Sequence, residues 1–338
     1  MICDLTGVGA NHMYLEELRV EGFKSYSLAT EINFNPGIGV VIGNNGVGKS
    51  NIMDAISWGL GDNDLGRLRC YSQEDLFFSG SKDYPPAQAA RALLTLSQGT
   101  EKNAPRIHLE RRMTRSGEDH YFAEKNPVSR EAYLNRLKDL GLVDTLKTLI
   151  RQEQLNDWLR CDPVERLQDV LAFLGNGLKP SGVDQFIHSW NKGFRHYYTT
   201  LLPEGEGRLY ADDSNGAKGL EIEIRFSDKG IKKSKLLSGG ERTVTSLAAK
   251  LALFDQLQSP VYLLDEVEPA LDYVNHKRMQ DLLKDLSTRK QLIMITHLRS
   301  TIELANTLHG VRTRRDGSSF MKFYFVMDKR LLRLYKCC

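Results

Sequence analysis

Residues 43–50 read Gly-Asn-Asn-Gly-Val-Gly-Lys-Ser, and no other stretch restricts the fold of this chain as strongly. The pattern G-x-x-x-x-G-K-[ST] is a phosphate-binding loop. Its glycines let the backbone curl so that successive N–H groups point inward at a phosphate. Lys49 adds a point charge toward the β- and γ-phosphates, and Ser50 offers a hydroxyl to Mg²⁺. Such a loop joins a buried strand to a helix. Residues 39–42 are apolar, and 49–60 carry Ile52, Ala55, Ile56 and Leu60 on one helical face. The loop therefore predicts an α/β fold that binds nucleotide.

The apolar run 261–264 ends in Asp265-Glu266, which places two carboxylates at the C-terminal end of a buried strand. Ligands bind at that edge in open α/β sheets. There Asp265 is suited to organising Mg²⁺, and Glu266 to polarising an attacking water. Residues 291–295 read as a second buried strand, followed by His297 where a strand edge faces a γ-phosphate. Leu237-Ser238-Gly239-Gly240-Glu241 stands directly before a strong helical pattern over 241–257. Its glycines and helix N-terminus again suit an anion. Gln152 follows a strand-like stretch and offers an oxygen to Mg²⁺, with Gln154 as a rival. Strands are also predicted over 15–21, 31–34, 91–96, 106–113, 120–123 and 220–226. Helices are predicted over 130–140, 163–174, 184–202 and 276–286. Residues 228–235, rich in lysine, read as a solvated loop.

With 338 residues, 41% hydrophobic and 26% charged, the chain is long enough to bury its own core. No apolar run approaches the length of a membrane span, and no secretory signal is visible. Its net charge of +3 neither requires nor excludes nucleic acid. The five cysteines are scattered without a C-x-x-C, which points to a reducing cytoplasm. Arg111, Arg112, Arg115, Lys232, Lys233 and Lys235 are candidates for contacts with DNA phosphates.

Together these motifs resemble the ATPase head of structural maintenance of chromosomes (SMC) proteins, in the ABC-type ATPase superfamily. The resemblance runs from Met13 to about Met327. Residues 18–26 (LRVEGFKSY) are similar to the family's first strand and Phe-Lys-Ser motif. Residues 43–55 look like its Walker A loop and helix, and 76–81 are similar to its segment ending in Ala-Gly-Ser. Residues 112–121 resemble its Arg…Gly…Tyr hairpin, and 237–241 the ABC signature. Asp265-Glu266 matches the Walker B end, Ala270-Leu271-Asp272 the D-loop, and His297 the switch histidine.

The resemblance implies an α/β head with mixed and parallel sheets, assembled from two lobes. These are expected over 13–174 and 183–338, with 175–182 standing where coiled-coil arms and a hinge would leave and return. Residues 1–12 match nothing that follows and read as a leader. ATP and Mg²⁺ are implied, held by Lys24, Ser25, Gly43, Asn44, Asn45, Gly46, Val47, Gly48, Lys49, Ser50, Asn51 and Gln152. Metal ligands would be Ser50, Gln152 and Asp265, and catalysis would fall to Glu266, Asp265 and His297. Ser238, Gly239, Gly240, Glu241, Asp272 and Arg69 would serve a second head, so that ATP drives head-to-head homodimerisation. Double-stranded DNA and a kleisin-type subunit are the implied partners, with no membrane. The implied place is the cytoplasm, at the nucleoid in a prokaryote. A RecF-like or double-strand-break-repair ATPase is the alternative. A transporter subunit fits less well, because Lys49 and Ser238 lie too far apart.

Overall fold

The computed structural model describes residues 13–151, 157–174, 182–213, 217–226, 230–268 and 273–327. The chain divides into two compact units that do not follow its sequence halves. The first takes residues 1–149, 259–265 and 284–338; the second takes 150–258 and 266–283.

The first unit contains two sheets. One is antiparallel, in the order β2-β1-β4-β5-β6-β7. It comprises β1 (Tyr14–Glu21), β2 (Thr30–Asn33), β4 (Ala89–Ser97), β5 (Arg106–Thr114), β6 (Asp119–Ala123) and β7 (Asn126–Val128). From Glu17 on, β1 alternates half-buried and buried residues, as one face of such a sheet requires, and a bulge between Leu15 and Glu17 interrupts the pattern before that. The other sheet is mixed and runs β15-β14-β3-β13-β12. It is built from β3 (Ile38–Ile42), β12 (Val261–Asp265), β13 (Gln291–Ile295), β14 (Thr307–Thr313) and β15 (Ser319–Val326). Every residue of β12 and β13 is buried, which explains the apolar runs Val261–Leu264 and Leu292–Ile295 within them. Helix α1 (Lys49–Gly59) lies in the core of this unit, where Ile52, Met53, Ile56 and Trp58 are no more than 1% exposed. Trp58 packs on Phe23 with ring centroids 5.3 Å apart. Helix α2 (Arg130–Asp139) adds Tyr133 and Leu137 to the same cluster. Short strand β8 (Leu149–Arg151) carries the chain from the first unit into the second.

The second unit combines α3 (Pro163–Leu174), α4 (Val183–Leu201) and α5 (Gly239–Phe254) with a three-stranded antiparallel sheet. That sheet is ordered β11-β10-β9, from β9 (Gly205–Asp212), β10 (Gly219–Phe226) and β11 (Gly230–Lys233). The apolar stripe of α4, Val183, Ile187, Trp190, Phe194, Tyr197, Tyr198 and Leu201, is wholly buried. Trp190 donates to the Ala249 carbonyl on α5 at 2.8 Å. Helix α6 (Tyr273–Leu286) leads back to β13, and α7 (Arg299–Ile302) is a single turn.

Two sequence expectations are corrected. Part of the segment expected as a solvated loop is strand β11, paired with β10 from Glu223↔Lys233 to Phe226↔Gly230. Lysines suit an exposed edge strand, and pairing with a neighbour, absent from any local pattern, makes the strand. The helix expected from residue 241 begins at Gly239, because Ser238 caps it.

Candidate active site

Strands β3, β13 and β12 are parallel neighbours, and their register puts Val41, Ile295 and Asp265 in one row. The chain therefore leaves all three strands at the same sheet edge. From β3 it enters residues 43–48, from β13 it enters Thr296 and His297, and β12 ends at Asp265 with Glu266 next. Three segments far apart in sequence thus meet at the C-terminal edge, where α/β sheets bind ligands. Asp265 is 7% exposed, and His297 faces solvent. Glu266 holds φ +50°, a left-handed conformation that costs a non-glycine residue about 1–2 kcal/mol.

Within the loop, Gly46 and Gly48 have φ +78° and +94°. A Cβ on Gly48 would fall 2.4 Å from Ser319 Oγ and 2.5 Å from Ser25 Oγ. Gly48 is also the N-cap of α1; it brings no capping side chain, and no acid occupies the first turn. The positive end of α1 is therefore left to an external anion. Lys49, buried at 5% exposure, folds its ammonium back over the loop. It donates to the carbonyls of Gly43 at 2.9 Å and Asn44 at 3.0 Å.

A polar network backs this loop. Asn51 Nδ2 donates to Ser25 Oγ at 2.8 Å, Ser319 Oγ lies 2.6 Å from Ser25 Oγ, and Ser319 donates to the Val47 carbonyl at 2.7 Å. Tyr26 donates to the Gly48 carbonyl at 3.1 Å. Beneath α1, the fully buried Asp54 accepts from Lys24 Nζ and from Arg69 Nη2, each at 2.6 Å. Arg69 also reaches Asn51 Oδ1 at 2.9 Å. Desolvation pulls the Arg69 pKa down, but its bond to Asp54 and the charges of Asp54 and Asp265 outweigh it and raise the net value. Of the residues expected to hold ATP, Lys24 turns its ammonium to Asp54 and to the Leu68 carbonyl. Sequence reasoning missed Ser319, Tyr26 and Asp54. Tyr26 adjoined the Lys24-Ser25 pair and Asp54 lay one helical turn beyond Ser50, which were available signals. Ser319 had none.

In the second unit, Ser238 and Glu241 form a reciprocal cap on α5. The Ser238 hydroxyl accepts from the Glu241 N–H at 3.4 Å, and Glu241 Oε2 accepts from the Ser238 N–H at 2.7 Å. Lys232 Nζ holds the same carboxylate at 3.1 Å. Burial raises the Glu241 pKa, but these donors outweigh it and leave it below the ordinary carboxylate value. Gly239 and Gly240 are thus held in the first turn of the helix, and no Cβ contact stands within 4 Å of Gly239. Gln152, Gln154 and Asp272 lie outside the described residues.

Ser50 and Asp265 offer hard oxygen donors, the chemistry Mg²⁺ requires. Among the described residues no group of three or more acidic, histidine or cysteine side chains forms a metal cage.

The family model described as RecF/RecN/SMC N terminal domain matches residues 14–319. The chain belongs to this family. An SMC head crystallised with the C-winged helix domain of ScpA superposes with a TM-score of 0.80 at 29% identity, covering 94% of this chain and 99% of the other. The SMC head domain from Thermotoga maritima superposes at 0.63 with 30% identity, covering 93% and 99%. The chromosome partition protein Smc of Mycobacterium leprae is 40% identical over 153 residues, 45% of this chain and 13% of that protein. Its Mycobacterium tuberculosis counterpart is 43% identical over 126 residues, 37% of this chain and 10% of that protein. The chain thus matches about an eighth or less of the length of these curated relatives.

In this member of the family, Arg111 leaves the expected basic patch. It is 1% exposed and donates to the carbonyls of Trp58 at 3.1 Å and Asp62 at 2.9 Å, closing the C-terminal end of α1. Asp119 balances its charge at 2.8 Å. Arg112 pairs with Glu110 and Arg115 with Glu74. No helix among the described residues is long and apolar enough to cross a membrane.

Proposed function

We propose that this chain is the ATP-binding and ATP-hydrolysing head of an SMC-type chromosome-organising protein, and that two heads close around two shared ATP molecules. The observation that carries the reading is the parallel register of β3, β13 and β12, which gathers the phosphate loop, His297 and Asp265-Glu266 at one edge.

In this reading the loop amides and the open end of α1 bind the phosphates. Lys49 exchanges the Gly43 and Asn44 carbonyls for β- and γ-phosphate oxygens. Mg²⁺, held by Ser50, Asp265 and Gln152, supplies neutralisation of charge on the phosphates. Glu266 orients the attacking water and accepts its proton, and His297 stands by the γ-phosphate. Ser238, Gly239 and Gly240 donate to the γ-phosphate bound by the opposite head, with Asp272 and Arg69 near the interface. Neither head alone has a complete site, so hydrolysis is tied to engagement and release of heads. Duplex DNA and a kleisin-type subunit are the proposed partners. The structure of a similar head bound to the ScpA C-winged helix domain supports the second. A cytoplasmic, nucleoid-associated location follows from the same reading.

The test is the solution mass of the Glu266→Gln chain with and without Mg-ATP. A rise from one chain to two, abolished by Ser238→Arg, is expected. A mass unchanged by ATP, despite measured ATP binding, overturns the shared site.

A further inference from the structure

One heavily hydrogen-bonded side chain of the second unit has no place in the scheme above. Arg166, on α3, is fully buried. Its guanidinium donates to the carbonyls of Leu159 at 3.1 Å and Cys161 at 2.9 Å, in the segment that follows the glutamine candidates. It also donates to the Leu220 carbonyl on β10 at 2.7 Å and to Ser234 Oγ at 2.9 Å. Weaker contacts at 3.4 Å reach the Trp158 carbonyl and Glu221 Oε1. Ser234 in turn donates to Glu221 Oε1 at 3.1 Å. Ser234 begins the short turn Ser234–Leu236 that runs directly into Leu237 and Ser238. At the surface, Lys235 and Asp162 make a second, looser link between the same two segments at 3.7 Å.

We propose that Arg166 is a positioning residue for the signature turn, fixing Ser234–Ser238 against the 158–161 segment so that a shift in one is felt by the other.

Three features favour this over a purely local packing role. The guanidinium joins three segments, 158–161, 220–221 and Ser234, with a planar fork of five N–H donors that an ammonium does not offer. Its charge is matched inside the cluster by Glu221, 6% exposed. Its bonds converge on the two approaches to functional groups: the chain leaving the glutamine region and the chain entering Ser238. Tight packing supports the same junction, since a Cβ on Gly219 would fall 2.8 Å from Pro163 Cβ at the start of α3. Desolvation pulls the Arg166 pKa down, consistent with a group shut off from water.

The inference rests on the reading of Ser238 as a phosphate donor, and the test separates the two. In the Glu266→Gln chain, Arg166→Lys keeps the charge but not the fork, and Ser234→Ala removes only the signature-side bond. Hydrogen exchange of the ATP-free chain should speed up at least fivefold at 237–241 in both variants, with exchange in α1 unchanged. ATP affinity, set in the first unit, should stay within twofold. ATP-driven dimerisation should weaken at least tenfold in Arg166→Lys and less in Ser234→Ala. Should Arg166→Lys fail to fold, Ser234→Ala decides by the same readings. Unchanged exchange at 237–241 in a folded variant overturns the positioning role. If the parent chain does not dimerise, the shared-site reading falls, while the exchange result still decides the role of Arg166.

Discussion

Ser319 Oγ lies 2.6 Å from Ser25 Oγ, across 294 residues of sequence, and both hydroxyls fill the space that a Cβ on Gly48 would take. Ser319 also donates to the Val47 carbonyl. A hydroxyl has one proton, so with Ser319 donating to Val47, the proton between the two serines belongs to Ser25. Ser25 then accepts from Asn51, and Asn51 from Arg69. This directed chain of bonds ends on the loop backbone at Val47.

Gly48 and Gly46 should therefore respond differently to alanine. Both have positive φ, worth about 1–2 kcal/mol of strain for alanine. At Gly46 nothing stands within 4 Å of the new methyl, whereas at Gly48 it collides with both serines. We expect Gly48→Ala to lower ATP affinity roughly a hundredfold or more, and Gly46→Ala about tenfold. Titration calorimetry with the folded variants checks the order. Equal losses would show that the serine wall plays no part.

Removing the wall's own hydroxyl is the complementary experiment. Ser319→Ala deletes the bond to Val47 and the one received from Ser25, and leaves Ser25 bonded to Asn51. Only the bond to Val47 reaches the loop backbone, and one lost hydrogen bond of this kind is worth about 1 kcal/mol. ATP affinity should drop about fivefold with an unaltered melting temperature, to within a few degrees. An affinity equal to the parent's would remove Ser319 from the site.

How much of this was readable in advance depends on where the information lies. The phosphate loop, its strand and its helix are local: glycine conformation, apolar periodicity and a strand-to-helix turn all sit within 39–60. The strands 261–265 and 291–295 were equally plain, because burial on both faces writes an unbroken apolar run. Ser319 was invisible. Its role arises only because β15 pairs with β14 and β14 with β3, which no local pattern encodes. Arg111 was misread for the same reason. In sequence it stands beside Arg112 in a basic run, but strand alternation turns one residue into the core and its neighbour outward. The lysines of β11 likewise gave no strand signal, since an edge strand needs no apolar face.

The ion cluster under α1 makes an asymmetric prediction. Asp54 is fully buried between Lys24, 9% exposed at its side chain, and Arg69, 40% exposed. Asp54→Asn strands a buried ammonium, and breaking such a pair costs about 3–5 kcal/mol. Arg69→Ala leaves Asp54 with Lys24, so its cost should stay near or below about 1 kcal/mol. Urea unfolding of the two variants measures this directly. Comparable losses would mean that Arg69, rather than Lys24, is the partner that holds Asp54.

His309 adds a pH dependence to the stability of the first unit. It lies on β14, wholly buried, with Nδ1 3.2 Å from the Val40 carbonyl and Nε2 2.6 Å from the Asn33 carbonyl. A neutral ring has one N–H, so it bonds one of these carbonyls at a time and ties β14 either to the end of β2 or to the strand that feeds the phosphate loop. The rings of Phe34 and Tyr324 flank it at 4.9 and 5.2 Å. Desolvation lowers its pKa below the ordinary 6.5, although bonds to the two carbonyls pull the other way. The sign follows from proton counting. Between the depressed folded value and 6.5, the unfolded chain binds more protons than the folded one, so stability rises with pH there. The stabilising contribution of the neutral ring is complete above about 6.5 and is lost as acid brings the pH down through the folded value. His309→Gln keeps a polar side chain without a titration. We expect unfolding free energy to fall more between pH 7.5 and 5.5 in the parent than in His309→Gln. Parallel losses in the two would assign the acid sensitivity to other groups, His276 among them, whose pKa desolvation also lowers.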